Sequence, residues 1–215
     1  MSSRFGVILL SLVVIFAGIF FINKNKANAP TNGSGSSSAQ PTNHTKGSSQ
    51  KGVTLVGYGD FQCPACGAIH PIVKEVVSKY ANDITFQFVN YPLTAIHQNA
   101  MAAHRAAEAA DKQGKYWEMY DLLYGNQTAW SASTSASGIF EGYAAQLGLD
   151  ATKYKEDAAS SAVNDVINAD TAKARKMDIT ATPTFFVNDK QLDPTPQSVE
   201  EFSKYIDEAI KAKNG

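Results

Sequence analysis

The two cysteines of this 215-residue chain stand three positions apart, in Cys63-Pro64-Ala65-Cys66. A disulfide between residues this close in sequence restrains the unfolded chain little, so the pair is a poor candidate for a structural bridge. Cysteines at this spacing typically exchange disulfides or bind a metal ion. The motif therefore predicts thiol chemistry, and it sets the position around which the remaining chain is interpreted.

The chemistry depends on a helix that begins inside the motif. Pro64 suits the first turn of a helix, where its missing N–H costs nothing. Cys63 would then face unpaired backbone N–H groups, which lower the pKa of such thiols to about 3.5–7.5 from about 8.5. We predict Cys63 as the nucleophile and Cys66, one turn further, as the resolving thiol. Pro64 and Ala65 are neutral, so the motif alone does not fix the redox potential.

Metal binding is the main alternative for the two cysteines. With His70 they form C-x-x-C-x-x-x-H, but a structural zinc site needs four ligands. His97 and His104 are seven positions apart, outside the spacing of paired zinc histidines. Gly67 follows Cys66, which excludes the C-x-x-C-H pattern of haem attachment. We expect no metal and no cofactor.

Two further polar residues lie close to the motif. His70 could act as a general base, but it would lie about 10 Å along the helix axis from Cys63, so a surface or packing role is expected. Asp60 allows two interpretations. It is either a solvated turn residue or a carboxylate that opposes the thiolate.

The elements that position the motif form a βαβ unit. The apolar run Val53–Val56 predicts a strand that leads into the cysteines. A helix follows to Tyr80, with Pro71 inside it, and the alternation in Ile84–Tyr91 predicts a second strand. A crossover helix makes the two strands parallel and the connection right-handed.

The rest of the chain predicts a helical insertion and then a return to the sheet. Helical patterns cover 99–110, 116–124, 140–147 and 163–177, so the insertion spans about 94–177, with Trp117 and Trp130 as core aromatics. Thr184–Asn188 predicts a strand with a short partner at Gln191 and Leu192, and Ser198 to Glu201 matches a capping box before a last helix. The order is β-α-β, helical insertion, β-β-α, an α/β fold.

The N-terminal quarter has a different composition. Phe5–Ile22 is an uncharged, predominantly apolar run of 18 residues, long enough to span a membrane, so residues 1–22 are expected to be an anchor or a signal peptide. We favour the uncleaved anchor, because the run is long for a signal peptide. Residues 23–52 are rich in Ser, Gly, Asn, Thr and Pro, which predicts a flexible linker. The net charge of −1 argues against nucleic-acid binding. An exchanging disulfide belongs outside the reducing cytosol, so residues 53–215 are placed outside the cell membrane.

Several motifs together resemble the DsbA-like thiol:disulfide oxidoreductases of the thioredoxin superfamily, in their membrane-tethered branch. The resemblance covers Val53 to the C-terminus. The matching segments are Gly59-Asp60-Phe61-Gln62-Cys63-Pro64-Ala65-Cys66, Asn90-Tyr91-Pro92-Leu93, Gly114-Lys115-Tyr116-Trp117 and Thr180-Ala181-Thr182-Pro183-Thr184-Phe185-Phe186-Val187-Asn188. It implies a thioredoxin fold with a helical subdomain.

The resemblance also implies functional details. Pro183 is expected to be cis and to lie against a Cys63-Cys66 disulfide. Thr182, together with Pro64 and Ala65, would contact the substrate peptide. The implied activity is disulfide formation in exported, reduced proteins by a monomer that a DsbB-like or VKOR-like membrane partner reoxidises.

One position departs from the family pattern. Many relatives carry a buried acidic proton acceptor six positions before the first cysteine, where this chain has Gly57. Proton transfer at Cys66 would then need water or another group. A reductase or isomerase on the same fold is the nearest alternative function, and a non-catalytic peptide-binding or chaperone module is the more distant one.

Overall fold

The computed structural model describes residues 39–214, which form five strands and eight helices. In chain order they are β1 (His44–Gly47), β2 (Val53–Gly59), α1 (Pro64–Lys79), β3 (Ile84–Asn90), α2 (Ala100–Asp111), α3 (Tyr116–Gly125), α4 (Gln127–Trp130), α5 (Ala136–Gln146), α6 (Ala151–Ala159), α7 (Ser161–Lys176), β4 (Thr184–Val187), β5 (Lys190–Gln191) and α8 (Val199–Asn214). The predicted order is confirmed, with one strand added before it.

The five strands form one mixed sheet in the order β1-β3-β2-β4-β5. The central strand β2 is parallel to β3 and antiparallel to β4. Helix α1 makes the crossover between the two parallel strands, as the βαβ pattern predicted. The carboxyl end of β2 therefore delivers the chain directly to the cysteine motif at the start of α1.

Alternate residues of the central strand enter two buried clusters, one on each face of the sheet. Leu55 belongs to a large cluster that includes Val76 of α1 and Phe202 of α8. Tyr58 belongs to a smaller cluster with Ala174 of α7. Because side chains alternate between the faces of a strand, this pattern requires helices on both sides of the sheet.

The end of the predicted linker at residue 52 is wrong, because residues 44–47 form β1. This strand pairs antiparallel with β3, with His44 opposite Phe88. The ring of His44 stacks on Tyr116 at 3.4 Å, and its Nε2 lies 2.8 Å from Oε1 of Glu108. The indole N–H of Trp117 donates to the carbonyl of Thr45. Ring stacking and polar contacts hold this strand, so its lack of large apolar residues is misleading.

The predicted insertion at about 94–177 corresponds to α2 through α7. Helix α6 was not predicted from the sequence because only four of its nine residues are apolar, which gives a weak helical pattern. Asp150 caps this helix by accepting the N–H of Lys153. Trp130 is fully buried, as expected of a core aromatic, whereas Trp117 is only partly buried.

No helix within residues 39–214 has the length and apolar character that crossing a membrane requires. The anchor expected at 1–22 lies outside the described residues, as does the first part of the expected linker. The membrane segment therefore stays a prediction.

Candidate active site

The cysteine turn, residues 60–66, connects β2 to α1. Cys63 is the N-cap residue of α1 with extended backbone angles, and Pro64 occupies the first helical turn as predicted. The N–H of Cys63 donates to the carbonyl of Asp60 at 3.1 Å, which closes the turn. Pro64 and Ala65 are exposed, whereas both cysteines are buried and both are free thiols.

Hydrogen-bond donors converge on the sulfur of Cys63 and lower the pKa of this thiol to about 5. The largest contribution is the hydrogen bond from the Cys66 thiol, which outweighs the opposing effect of burial. The backbone N–H groups of Cys66 and Ala65 also lower this pKa. Donors at a helix N-terminus stabilise the charged form of a group, so Cys63 is a thiolate at neutral pH.

The environment of Cys66 has the opposite effect. Burial, first, and then the neighbouring Cys63 raise the pKa of the Cys66 thiol well above its ordinary value. Only 3% of Cys66 is exposed, against 7% of Cys63. The pair therefore consists of one thiolate and one thiol, and the proton that they share stays on Cys66.

The Thr182-Pro183 segment lies against the cysteines, although it is 119 residues away in sequence. Its peptide bond is cis, which is the geometry that the resemblance implies. The sulfur of Cys63 lies 3.4 Å from the carbonyl oxygen of Thr182, to which Cys63 donates when it is protonated. Within residues 39–214, the buried hydroxyl of Thr182 has no partner that satisfies hydrogen-bond geometry. The structure thus brings all six predicted site residues to one place.

Asp60 is fully buried, so its interpretation as a solvated turn residue is wrong. Its carboxylate accepts the N–H of Gln62 at 2.7 Å and the N–H of Leu93 at 2.8 Å. Oδ2 also lies 2.7 Å from Nδ1 of His97. Asp60 therefore fastens the cysteine turn to the loop that follows β3.

Two glutamines, which sequence analysis did not single out for the site, also hold the turn. The amide of Gln127 donates to the carbonyls of Phe61 at 2.7 Å and Cys63 at 2.9 Å. Gly67 makes this approach possible, because a side chain there would meet the Gln127 amide. Gln62 accepts the N–H of Asn99 at 2.6 Å. Gln127 lies 64 residues beyond Cys63, so no local pattern could have revealed its role.

His70 is packed inside the structure, in line with the packing role expected for it. Its ring lies 5.3 Å from that of Tyr120 and 5.1 Å from that of Tyr124. Its Nε2 lies 3.0 Å from Oδ1 of Asp121. The other oxygen of this carboxylate, Oδ2, accepts a hydrogen bond from the ammonium of Lys74 at 2.7 Å. These contacts fix the ring between α1 and α3.

The position of Gly57, where many relatives have an acid, is crowded by aromatic rings. A Cβ atom added there would lie 2.9 Å from Cε1 of Phe185 and 3.4 Å from Cε2 of Phe86. A carboxylate at this position would require Phe185 to move. The aromatic packing therefore fills the space next to the sheet that an acidic side chain would need.

A second set of buried polar groups lies at the end of β3 and is called here the Asn90 cluster: Asn90, His104, Glu108 and Asp170. The amide nitrogen of Asn90 donates to Glu108 and to Asp170, each at 2.7 Å, and its oxygen lies 2.6 Å from Nδ1 of His104. Burial, above all, raises the pKa of Asp170 to about 6 and lowers that of His104 to about 4. Sequence analysis missed the cluster as a unit.

Within the described residues, one group of metal-ligand types lies close enough together to share an ion: His44, Glu108 and Asp111. Nε2 of His44 lies 2.8 Å from Glu108, and Nδ1 lies 3.4 Å from Asp111. Glu108 also accepts from Asn90. The group joins β1 to α2 through the contacts of the His44 ring with the two carboxylates.

A thiolate at a helix N-terminus, a protonated partner one turn away and an adjacent cis-proline define a site for thiol–disulfide exchange on a thioredoxin-type fold. The sequence profile of the family described as Thioredoxin matches residues 39–208. The chain belongs to this family. The match begins ahead of β1, which agrees with the corrected domain boundary.

Solved structures refine this assignment towards the DsbA-like members. A thioredoxin-like oxidoreductase from Silicibacter pomeroyi DSS-3 is 27% identical with a TM-score of 0.66, covering 78% of this chain and 92% of its own. Pseudomonas aeruginosa DsbA2 is 26% identical with a TM-score of 0.63, covering 78% of this chain and 94% of its own. The predicted resemblance to DsbA-like oxidoreductases is confirmed.

A curated relative by sequence has a different name. The Na(+)/H(+) antiporter NhaA 1 of Salinispora arenicola is 38% identical over 148 residues, which is 69% of this chain. The chain matches only 22% of that protein's length, about a fifth. The antiporter name describes that whole protein and gives no activity to this chain.

Proposed function

We propose that this protein is an extracytoplasmic thiol:disulfide oxidoreductase that introduces disulfide bonds into exported proteins. The observation that carries the proposal is the opposed pKa shifts of the two thiols, with Cys63 at about 5 and Cys66 well above its ordinary value. A stabilised thiolate makes the reduced form favourable, and a favourable reduced form makes the disulfide a strong oxidant.

The exchange proceeds through two displacements. A substrate thiolate attacks Sγ of Cys63 in the Cys63-Cys66 disulfide, and Cys66 leaves with the electron pair. The second substrate thiolate then attacks the first substrate sulfur, which is bonded to Sγ of Cys63; Cys63 leaves as a thiolate, and the substrate is released as a disulfide. The protein gains two electrons, and a membrane-bound disulfide oxidant, DsbB-like or VKOR-like, removes them again.

The substrate-facing roles assigned to Pro64, Ala65, Thr182 and Pro183 fit their positions. Pro64 and Ala65 are exposed beside the sulfurs, and the Thr182 carbonyl is in contact with Cys63. Ile96 and Met177 are the large hydrophobic side chains that the described residues leave exposed. Both belong to loops at the carboxyl end of β2, where they would offer an apolar rim to an unfolded chain.

The equilibrium redox potential against glutathione tests the direction of electron flow. We expect a value near the oxidising end of the range for such proteins, about −120 mV, and a value near the −270 mV of thioredoxin would make the protein a reductase. Labelling of Cys63 in intact cells with a membrane-impermeant thiol reagent tests the location. Protection from the reagent until the cells are lysed would contradict an extracytoplasmic domain.

A further inference from the structure

The proposed exchange requires a proton to move at Cys66. When the Cys63-Cys66 bond breaks, Cys66 leaves as a thiolate and then takes up one proton. During reoxidation the thiol of Cys66 must lose that proton before its sulfur can displace the oxidant's thiolate from Cys63. Cys66 is 3% exposed, so bulk water has little access to it from the substrate side.

A cavity of about 20 Å³ lies beside Cys66. A space of roughly 10 to 15 Å³ is enough for one water molecule if polar groups surround it. Most of its surface is apolar, and the residues with polar side chains around it are Tyr58, Cys66, His70, Tyr120 and Tyr124. The hydroxyl of Tyr124 lies against Gly59, 3.0 Å from where a Cβ atom of that glycine would be. This hydroxyl therefore lies at the wall of the cavity.

His70 connects this cavity to the surface of the protein. It lies four residues after Cys66, so both side chains occupy the same face of α1. Its Nε2 is bound to Asp121, whose side chain is 34% exposed. Burial raises the pKa of Asp121, but hydrogen bonds from His70 and Lys74 more than offset it and bring this pKa to about 2. Asp121 is therefore a carboxylate whenever the protein works.

An open surface groove lies next to this small cavity. It has a volume of about 320 Å³, lies between β1, α1 and α3, and is lined by Asp121 and Lys74 among others. Val73, Phe86 and Tyr120 line both the groove and the small cavity. The groove and the cavity that Cys66 and Pro183 line are therefore neighbours with a common wall.

We propose that His70, oriented by Asp121, exchanges the proton of Cys66 with solvent through this cavity and groove. His70 passes a proton to the Cys66 thiolate through one water or a tyrosine hydroxyl when the disulfide is reduced, and accepts it back when the pair is reoxidised. Asp121 is a positioning residue, because it holds the ring and does not reach the sulfur. The route replaces an acid at position 57, where Phe185 fills the space.

Other titratable groups surround the route and must be separated from it. Tyr120 and Tyr124 of α3 face both Cys66 and His70, and burial, above all, raises the pKa of each hydroxyl far beyond neutrality. They can relay a proton but do not titrate in the working range. Lys74 pairs with Asp121, and Cys63 is the other thiol next to Cys66.

The test measures disulfide closure in His70→Gln. Reduced protein is mixed with oxidised glutathione, and the conversion of the Cys63–glutathione mixed disulfide into the Cys63-Cys66 disulfide is followed by acid quench over the pH range in which histidine titrates. We expect closure to slow by about 10- to 100-fold and to lose one inflection in its pH profile. Asp121→Asn should slow closure by roughly threefold to tenfold, because the ring stays but is less well oriented.

The control is Glu75→Gln, which removes one exposed charge from the same helix and should change nothing. The Cys63 thiolate midpoint should also stay where it is in each variant. Equal closure rates and profiles in wild type and His70→Gln would overturn the proposal, as would a shifted Cys63 midpoint that accounts for the change. Should His70→Gln fail to fold, Asp121→Asn decides with the same readout.

The inference rests on the proposed exchange activity, and the two can fail separately. A wild-type protein that forms no Cys63-Cys66 disulfide and oxidises no dithiol peptide would remove the proposed function. A wild type that turns over normally, with His70→Gln indistinguishable from it, would remove only the proton route.

Discussion

The cysteine turn and the Asn90 cluster both bury ionisable groups, but they use burial in opposite ways. In the Asn90 cluster the amide of Asn90 supplies donors to two carboxylates, and Asp170 also accepts the N–H of Thr42 at 2.8 Å. In the cysteine turn the hydrogen-bond donors stabilise the Cys63 thiolate, whereas burial keeps Cys66 protonated. When each buried carboxylate has a donor, as in the Asn90 cluster, the buried groups hold neighbouring elements together and form a structural joint. When the donors favour one of two neighbouring groups, as in the cysteine turn, the two groups have different protonation states.

The first prediction tests the asymmetry of the two sulfurs. Cys63→Ser should reduce turnover by at least about a thousandfold, because the attacked atom is gone. Cys66→Ser should retain attack through Cys63 and accumulate mixed disulfides, since nothing resolves them. Mass spectrometry of trapped species separates the two variants. Equal trapping by both would show that the sulfurs are interchangeable.

The second prediction tests the joint at the Asn90 cluster. Asn90→Ala removes the donor shared by Glu108 and Asp170 and leaves both carboxylates buried with fewer partners, so the free energy of unfolding should fall by about 3 to 5 kcal/mol. Urea unfolding measures it. The matched control is Asn126→Ala, at an exposed helix end, which should cost less than about 1 kcal/mol. Similar losses in both variants would contradict the structural role of the cluster.

The third prediction concerns pH and the same cluster. The pKa of Asp170 is about 6 in the folded protein and near the ordinary 3.8 of an aspartate when unfolded, so between these values the folded state binds more protons. The contribution of Asp170 therefore falls as pH rises from about 4 to 6, by at most about 3 kcal/mol. Asp170→Asn should lose this slope in urea unfolding at several pH values. An unchanged slope would show that Asp170 does not carry it.

The fourth and smallest effect returns to the cysteine turn. The Cys66 thiol is the main donor to the Cys63 thiolate, so Cys66→Ala should raise the pKa of Cys63 by roughly one unit from about 5. Cys66→Ser keeps a hydroxyl donor and should shift it less. Thiolate absorbance at increasing pH gives both midpoints. No shift in either variant would mean that the Cys66 thiol does not set this pKa and that the helix terminus does.

The parts of the fold predicted from sequence are those with a local signature. The βαβ unit followed from alternation in the strands and helical spacing between them. The cysteine pair and Thr182-Pro183 were identified through motifs that carry their own chemistry. Each strand, helix and motif among these features is encoded in a short continuous stretch of sequence, where periodicity and motifs can be recognised.

The parts that sequence analysis missed depend on contacts between distant residues. β1 has a linker-like composition, yet His44 stacks on Tyr116, 72 positions later, and pairs with Glu108. The sequence left two interpretations of Asp60 open and did not reveal its structural role, because its partners, Leu93 and His97, belong to another loop. Polar ties of this kind give no hydrophobic periodicity, so only the assembled structure reveals them.

The placement of β1 has a mechanical consequence. Tension applied to the chain ahead of residue 42 would act first on the Thr42–Asp170 hydrogen bond. It would then act on the His44–Glu108 contact and on the hydrogen bonds between β1 and β3. The cysteine turn connects β2 to α1, and in the sheet β2 is separated from β1 by β3. A pull on the N-terminal side therefore acts on the edge of the sheet before it acts on β2 and the cysteine turn.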